Sequence, residues 1–203
     1  MKVLSALVSS LTLLSLNIVG LSHVEAQAQG FQFQSVPLTL FGNGCPSVNP
    51  QANLKADTLF VTLPSFEAVA VSPKVVSKSC ILRIGLNVPK GYKVKPINIK
   101  YAGFANVPKG GSADLKVTLV FQGKNVPNSS NDPNANFPSG FSNGWVKNVA
   151  ITSDAIDACA NPVNSVFGIN TNLIARARDA SAGQQTKILI AQGYQIKFTF
   201  TRC

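Results

Sequence analysis

The sequence predicts an all-β protein: a single-domain antiparallel β-sandwich of jelly-roll type, with about eight or nine short strands and two disulfides. Three observations indicate this fold. Apolar and polar residues alternate with a period of two in many short segments, as expected for strands that bury one face. Turn-forming sequences such as Pro89-Lys90-Gly91 separate these segments, and four cysteines are spread along the chain.

Residues 1–28 have the composition of a secretory signal peptide. Lys2 provides the positive start, residues 3–19 are largely apolar, and small residues surround Ala26 and Ala28. Serine, threonine and asparagine interrupt the apolar stretch, which therefore lacks the ~20 unbroken apolar residues of a membrane span; a retained anchor helix is the alternative. We expect residues 29–203 to form a secreted domain without an integral membrane segment, in the extracellular space, a periplasm or at the cell surface.

The predicted strands follow in chain order. The first candidates are residues 36–41 and 58–63. Residues 80–88 alternate most regularly, with Cys80 on the inward parity. Residues 92–101 predict an edge strand or a bulged strand, because Pro96 has no N–H to donate to a sheet. The remaining candidates are residues 113–121, 145–151, 167–175, 187–190 and 194–201.

Residues 123–144 are predicted to be one long loop, because Asn, Ser, Pro and Gly dominate there without periodicity. Phe137 and Phe141 lie in this loop, and Trp145 follows it. These three rings are a candidate ligand platform that could stack on sugars; the alternative is that they close the open end of the core. The loop also contains a glycosylation sequon at residues 128–130, whose use depends on the host.

The four cysteines are Cys45, Cys80, Cys159 and Cys203, an even number in a chain predicted to be exported. Their separations of 35, 79 and 44 residues contain no close metal-ligand pair, so disulfides are predicted and a metal site is not. Of the three possible pairings we favour Cys45 with Cys80 and Cys159 with Cys203, which join neighbouring segments. Because Cys203 falls on the polar parity, its disulfide requires a bulge or a strand end.

Several motifs resemble a known family. They include Gly42-Asn43-Gly44-Cys45-Pro46, Lys78-Ser79-Cys80, Asn87-Val88-Pro89-Lys90-Gly91-Tyr92, Ile99-Lys100-Tyr101-Ala102-Gly103-Phe104 and Thr201-Arg202-Cys203, together with Cys159. This set is similar to the secreted family called domain of unknown function 4360. The resemblance implies a small exported protein with paired cysteines, of a kind found in bacteria and fungi. The family has no known catalytic residues, so the resemblance assigns no site residue here.

Histidine chemistry is excluded from the predicted secreted domain. The only histidine, His23, lies in the signal segment. Ser-His-Asp and Cys-His catalysis and histidine metal sites are therefore ruled out. We assign no catalytic, cofactor-binding or metal-binding residue and expect no cofactor.

The net charge of +10 favours an anionic neighbour, such as a polysaccharide or a cell-wall polyanion. Nucleic acid is not expected, because no recognised reading motif is present. The alternation gives an outward parity to a candidate anion-binding face of Lys116, Arg176, Arg178 and Lys197. Lys93, Lys95 and Lys100 are further candidates, and Pro96 makes the parity near Lys93 and Lys95 ambiguous. The alternatives are an evenly solvated surface and lysines that protect a sheet edge.

Two acidic patterns are candidate metal or catalytic sites. A helical turn would place Asp154 and Asp157 on one face, as a calcium pair or as a glycosidase dyad with Asp57 or Glu67. The alternative is a helix cap before a turn that delivers Cys159. A second pattern is rich in oxygen but carries one carboxylate, which is too little charge for a strong calcium site: Asn131, Asp132, Asn134 and Asn136.

The sequence thus predicts a non-enzymatic structural or binding module for anionic or saccharide surfaces. A histidine-free carboxylate hydrolase and a secreted effector that binds another protein are the alternatives. The oligomeric state and the ligand stay open.

Overall fold

The computed structural model describes residues 32–47, 50–64, 66–126 and 132–203. The predicted signal peptide and the sequon at residues 128–130 lie outside the described residues. All regular structure in these ranges is β-strand, arranged as two antiparallel sheets, which confirms the predicted sandwich class. None of the described segments forms a helix of sufficient length and hydropathy to cross a membrane.

Thirteen strands are present in the described part of the chain, more than the predicted number. They are β1 Gln32–Phe41, β2 Gln51–Lys55, β3 Thr58–Thr62, β4 Phe66–Val71, β5 Val75–Val88, β6 Tyr92–Asn106, β7 Ser112–Phe121, β8 Lys124–Asn125, β9 Ala135–Phe137, β10 Ser142–Ala150, β11 Ile156–Asp157, β12 Val163–Arg176 and β13 Gln185–Arg202. The predicted strands at 187–190 and 194–201 are two parts of β13.

The six-stranded sheet has the order β1-β5-β12-β7, and both β8 and β9 pair with β7. Its centre is the uninterrupted pairing of β5 with β12, from Val75 opposite Arg176 to Val88 opposite Val163. The seven-stranded sheet is centred on β6 and β13. On the side of β6 away from β13, β6 pairs with β10 and β11. On the side of β13 away from β6, β13 pairs with β3 and β4, and β3 in turn pairs with β2.

The core lies between the two sheets and is lined by the residues of inward parity. Phe167 of the six-stranded sheet meets Phe198 of the seven-stranded sheet edge to face, with ring centroids 6.4 Å apart. Tyr101 and Tyr194 meet in the same way at 5.1 Å, and burial raises the pKa of both phenols, so both stay neutral. The period-two alternation therefore identified the buried faces of the long strands.

Strand β6 is a bulged interior strand and not an edge strand. The register with β13 shifts between Lys197, opposite Asn98, and Phe198, opposite Pro96. On the other side of β6, β10 ends opposite Asn98 and β11 begins opposite Val94, so Pro96 lies in the gap between them. The missing N–H of proline is tolerated there because no strand faces that position on that side.

The predicted long loop at residues 123–144 is interrupted by regular structure. Strands β8 and β9 and the first residues of β10 lie within it. Strands of two or three residues are too short to produce a visible alternation, which explains why the sequence did not reveal them. Beside β9, the Asn134 side-chain oxygen accepts a hydrogen bond from the Val117 N–H at 3.0 Å. A side chain therefore provides a hydrogen-bond partner for a backbone N–H at this edge of β7.

The disulfides join Cys45 to Cys80 and Cys159 to Cys203, the pairing that the sequence favours, with Cα separations of 4.7 and 5.7 Å. Cys80 is fully buried in the core. Cys203 follows the last residue of β13, and its N–H donates a hydrogen bond to the Gly91 carbonyl at 3.0 Å. Cys203 therefore lies at a strand end, as its polar parity requires.

Candidate functional site

Five lysines lie together on the outer surface of the seven-stranded sheet, and we call this surface the lysine face. In the middle of the face, Lys197 of β13 lies opposite Asn98 of β6 on one side and opposite Thr58 of β3 on the other. Antiparallel residues that lie opposite each other share one face of the sheet. The lysine face consists of Lys55 on β2, Lys93, Lys95 and Lys100 on β6, and Lys197 on β13.

The spacing of the lysine face follows from strand geometry. Neighbouring strands lie ~4.8 Å apart, so Lys55 and Lys197, two strands apart, have backbones separated by about 10 Å. Lys93 and Lys95 are two residues apart on one strand, which corresponds to about 7 Å. The Debye length at physiological salt is ~8 Å, so neighbouring ammonium groups act on a bound anion together.

The lysine face keeps an excess of positive charge. Lys93 forms an ion pair with Asp157 at 2.8 Å, and Lys197 forms one with Asp57 at 3.5 Å. The other three lysines of the face form no ion pair with any described residue. The hydrogen bond from Lys93, and then the one from the Cys159 N–H, lower the pKa of Asp157 from its ordinary value, which favours the ionised form.

Hydrogen-bonding groups and one ring lie between the lysines. Gln195 is opposite Lys100 on one side and opposite Phe60 on the other. Thr199 lies opposite Lys95, and Thr201 lies opposite Lys93. Amide and hydroxyl groups bind sugar hydroxyls, and the half-buried ring of Phe60 adds an apolar contact.

The four basic residues predicted as one face are divided between the two sheets. Lys116 and Arg176 lie on the outer surface of the six-stranded sheet, where Arg176 forms an ion pair with Asp114. Arg178 lies exposed beyond the end of β12, and only Lys197 belongs to the lysine face. Parity indicates whether a side chain points outward, but not from which of the two sheets.

The three rings of the predicted ligand platform form a cluster at the margin of the core. The Phe137 ring centroid lies 5.2 Å from that of Phe141 and 5.3 Å from that of Trp145. Phe137 and Trp145 are only 4% and 9% exposed, and Phe141 is partly buried. The rings therefore close the core, as in the alternative interpretation, and leave little surface on which a sugar could stack.

The expected helical turn at Asp154 and Asp157 is absent, and Asp157 belongs to β11. Its carboxylate accepts a hydrogen bond from the Cys159 N–H at 3.0 Å, so it caps a tight turn and not a helix. A helix was expected because a three-residue spacing fits a helical face, whereas pairing with β6 decides the conformation here.

The carboxylates considered for a hydrolase do not pair with one another. Asp57 binds Lys197, Asp157 binds Lys93, and Glu67 binds Lys187 at 2.7 Å. Three separate lysines therefore neutralise these three carboxylates, whereas Asp154, the fourth candidate, is exposed and forms no ion pair with any described residue. The cysteine sulfurs close to Asp157 belong to one disulfide and offer no thiolate to a metal.

The oxygen-rich segment near β9 binds mainly to itself. Asp132 accepts hydrogen bonds from the backbone and side-chain nitrogens of Asn134, and Asn136 donates to Asp114 at 2.6 Å. These groups line a small cavity of about 130 Å³. Asn131 lies outside the described residues.

Sequence reasoning missed two exposed groups. Lys55 completes the lysine face, but its short strand shows no clear alternation. Phe41, at the end of β1, is 53% exposed, and the guanidinium of Arg83 lies 6.0 Å from its ring centroid. A strand end gives a weak parity signal, so the outward direction of this ring was not evident.

The fold and the lysine face define a small all-β protein, stabilised by two disulfides, with a basic surface on its seven-stranded sheet. The chain belongs to the family described as domain of unknown function (DUF4360), whose model matches residues 31–203. The family resemblance of the cysteine and glycine motifs is thereby confirmed.

A curated relative is an uncharacterized secreted protein of Arthroderma benhamiae, 32% identical over 100 residues. The matched segment covers 47% of this chain and 41% of that relative, so the chain spans less than half of the relative's length.

Three solved structures show weak overall similarity. TmCBM61 in complex with β-1,4-galactotriose has a TM-score of 0.28 at 9% identity, over 82% of this chain and 89% of that chain. The enzymatically active domain of bacteriophage CBA120 tailspike protein 4 has a TM-score of 0.29 at 12% identity, over 81% of this chain and 19% of that chain. The CBM22-1-GH10 modules of Clostridium thermocellum xylanase 10B have a TM-score of 0.21 at 12% identity, over 89% of this chain and 27% of that chain. Scores this low support no argument about the ligand.

Proposed function

We propose that this protein is a secreted, non-enzymatic binding module whose lysine face holds an acidic polysaccharide. The observation that carries the proposal is a set of three lysines on one exposed face that form no ion pair with any described residue: Lys55, Lys95 and Lys100. The signal-like composition of residues 1–28, the two disulfides and the name of the fungal relative support export.

Charge complementarity favours a polyanion. Lysines spaced by about 7 Å along β6 and about 10 Å across the strands match a polymer that carries repeated carboxylates or sulfates. The amide of Gln195 and the hydroxyls of Thr199 and Thr201 bind the sugar hydroxyls between those charges. A polysaccharide offers both kinds of partner along one extended chain.

Binding is favoured over hydrolysis by the arrangement of the carboxylates. A glycosidase needs two carboxyl groups that face one bond, about 5 to 9.5 Å apart. Asp57, Glu67 and Asp157 each form an ion pair with a different lysine. A carboxylate that is held ionised by a lysine, as Asp157 is, makes a poor general acid.

The test compares two double variants of equal net charge. Lys95→Gln/Lys100→Gln removes charge from the lysine face, whereas Lys109→Gln/Lys124→Gln removes the same charge from exposed positions elsewhere. Polygalacturonate and dextran sulfate are titrated at low and at physiological salt. Each exposed contact contributes roughly 0.5 to 1 kcal/mol, so the first variant is expected to bind about five- to thirtyfold more weakly.

The control variant is expected to bind like the wild type at physiological salt. Equal losses in the two variants would mean that the total charge, and not the lysine face, determines binding. If the wild-type protein binds neither polyanion even at low salt, the proposal is wrong.

A further inference from the structure

An exposed phenylalanine stands on the outer surface of the six-stranded sheet, which the proposed function does not use. Phe41 is 53% exposed at the end of β1. It lies opposite Ile81, which lies opposite Asn170, which in turn lies opposite Thr118. The ring therefore begins a row of outward side chains that crosses four strands.

The backbone after Phe41 is fixed rigidly to β5. The Asn43 side-chain oxygen accepts a hydrogen bond from the Ser79 N–H at 2.8 Å, and the Gly44 N–H donates to the Ser79 carbonyl at 2.9 Å. Gly42 has a φ of 129°, and a Cβ there would overlap the same carbonyl. With the Cys45 disulfide directly beyond, the backbone next to Phe41 is held in place before any ligand binds, which limits the conformational entropy lost on binding.

The surroundings of Phe41 are rich in hydrogen-bonding groups. In the next row Asn172 lies opposite Ser79 on one side and Lys116 on the other. The Asn172 side-chain oxygen accepts a hydrogen bond from the Ser77 hydroxyl at 2.9 Å, which orients the amide. Amides and hydroxyls beside an exposed ring are the groups that recognise sugar hydroxyls and the apolar face of a sugar ring.

On the other side of Phe41, the row of Arg83 extends the surface. Arg83 is exposed and lies opposite Gly168, which is buried. The Arg83 guanidinium lies 6.0 Å from the centroid of the Phe41 ring. Its N–H donors can therefore bind sugar hydroxyls beside that ring.

The charge of this surface differs from that of the lysine face. Three rows of paired residues cross this sheet, beginning at Thr39, at Phe41 and at Ser79. Among the described residues, these rows contain two cations, Arg83 and Lys116, and no carboxylate. The ring and the neutral amides dominate, so charge is not the principal means of recognition. A ligand without charge matches a surface whose contacts are a ring, amides, hydroxyls and a five-donor guanidinium.

We propose that this surface, centred on Phe41 and Arg83, binds a neutral polysaccharide chain. Phe41 stacks on one sugar ring, and Arg83, Asn170, Asn172 and Thr118 bind hydroxyls of that sugar and its neighbours. The surface lies on the opposite side of the sandwich from the lysine face. One molecule can then hold a neutral polymer and an acidic polymer at the same time.

The test measures retention of the oxidised protein in native gels that contain a soluble β-glucan, a galactomannan or glycol chitin. At about 1 M salt the Debye length is only ~3 Å, so attraction by the lysine face is screened. The wild type is expected to remain retained by at least one of these neutral polymers at this salt. Phe41→Ala is expected to weaken retention by at least about fivefold.

Phe104→Ala is the matched control, because Phe104 is also an exposed phenylalanine, 39% accessible, but lies on the other sheet. Arg83→Gln is a second variant, which tests the same surface if Phe41→Ala fails to fold. The Lys95→Gln/Lys100→Gln variant is expected to be retained like the wild type, which separates this proposal from the function of the lysine face. The inference is overturned if no neutral polymer retains the wild type, or if Phe41→Ala and Phe104→Ala weaken retention equally.

Discussion

Replacing Gly103 with alanine tests how closely the ring of Trp145 packs over strand β6. Gly103 lies on β6 between Trp145 of β10 and Ile190 of β13. A Cβ at this position would overlap the Leu189 carbonyl oxygen and would lie 2.6 Å from Cε2 of Trp145. The absence of a side chain at residue 103 therefore allows the tryptophan ring to pack over β6.

The size of the effect follows from these contacts. The Leu189 carbonyl belongs to a central strand and cannot move without breaking sheet hydrogen bonds, so the tryptophan ring must move. Overpacking costs about 1 to 3 kcal/mol, and complete loss of a buried tryptophan costs about 3 to 5 kcal/mol. We expect Gly103→Ala to lower the free energy of unfolding by about 3 kcal/mol and the melting temperature by roughly 6 to 12 °C.

Trp145 is the only tryptophan in the chain, so its fluorescence reports directly on this packing. Unfolding in guanidinium chloride gives the change in free energy, and a red-shifted emission in the absence of denaturant shows that the ring has moved towards water. The matched control is Gly144→Ala on the neighbouring strand. A Cβ there would meet only the Gly103 carbonyl at 3.7 Å, an ordinary contact, so its stability is expected to stay within about 1 kcal/mol of the wild type.

Equal losses of stability in the two variants would refute this reasoning, because only one of them creates an overlap. An unchanged emission spectrum in Gly103→Ala would also contradict it, since the ring would then have kept its position.

Two further predictions concern the disulfides and Asp157. Removing Cys45–Cys80 or Cys159–Cys203 by paired alanine substitution opens loops of 35 or 44 residues, each contributing about 4 kcal/mol on the loop-entropy model. Since Cys80 is fully buried and Cys203 is exposed, chemical denaturation should show a loss larger by about 1 kcal/mol for the first pair, and equal losses would contradict this. The lowered pKa of Asp157 means that its stabilising effect is present above the ordinary value of 3.8 and is lost as pH falls through the lower folded value. The difference in melting temperature between wild type and Asp157→Asn should therefore vanish in acid, and a difference that persists below the folded pKa would contradict the assignment.

The long strands could be predicted from the sequence because alternation persists over many residues. The fourteen-residue β12 alternates at nearly every position, and each of its inward residues from Phe167 onward is buried. Strands β8, β9 and β11 have two or three residues each, and pairing with β6 or β7 decides their conformation. Local sequence carries no signal for such pairings.

The candidate site was harder to predict because a surface is assembled from strands distant in sequence. Lys116 and Lys197 have the same outward parity but lie on opposite sides of the sandwich. The bulge in β6 between Pro96 and Asn98 changes the phase of the strand, so Lys95 and Lys100 share a face although they are an odd number of positions apart. The topology decides which sheet carries a given lysine, and the bulge decides which face of β6 it occupies. Alternation alone shows neither the topology nor the bulge.

The position of the lysines within the sheet bears on the two alternatives to a binding surface. Lysines that protect a sheet from aggregation are placed on edge strands. Lys93, Lys100 and Lys197 lie at positions of β6 and β13 that are paired on both sides, so edge protection does not explain them. Lys55 lies on the edge strand β2, and Lys95 lies beside the gap between β10 and β11. An evenly solvated surface would distribute like charges, because like charges on neighbouring strands destabilise a sheet. A cluster of lysines on adjacent interior strands therefore costs stability, and a polyanion bound across them removes that repulsion.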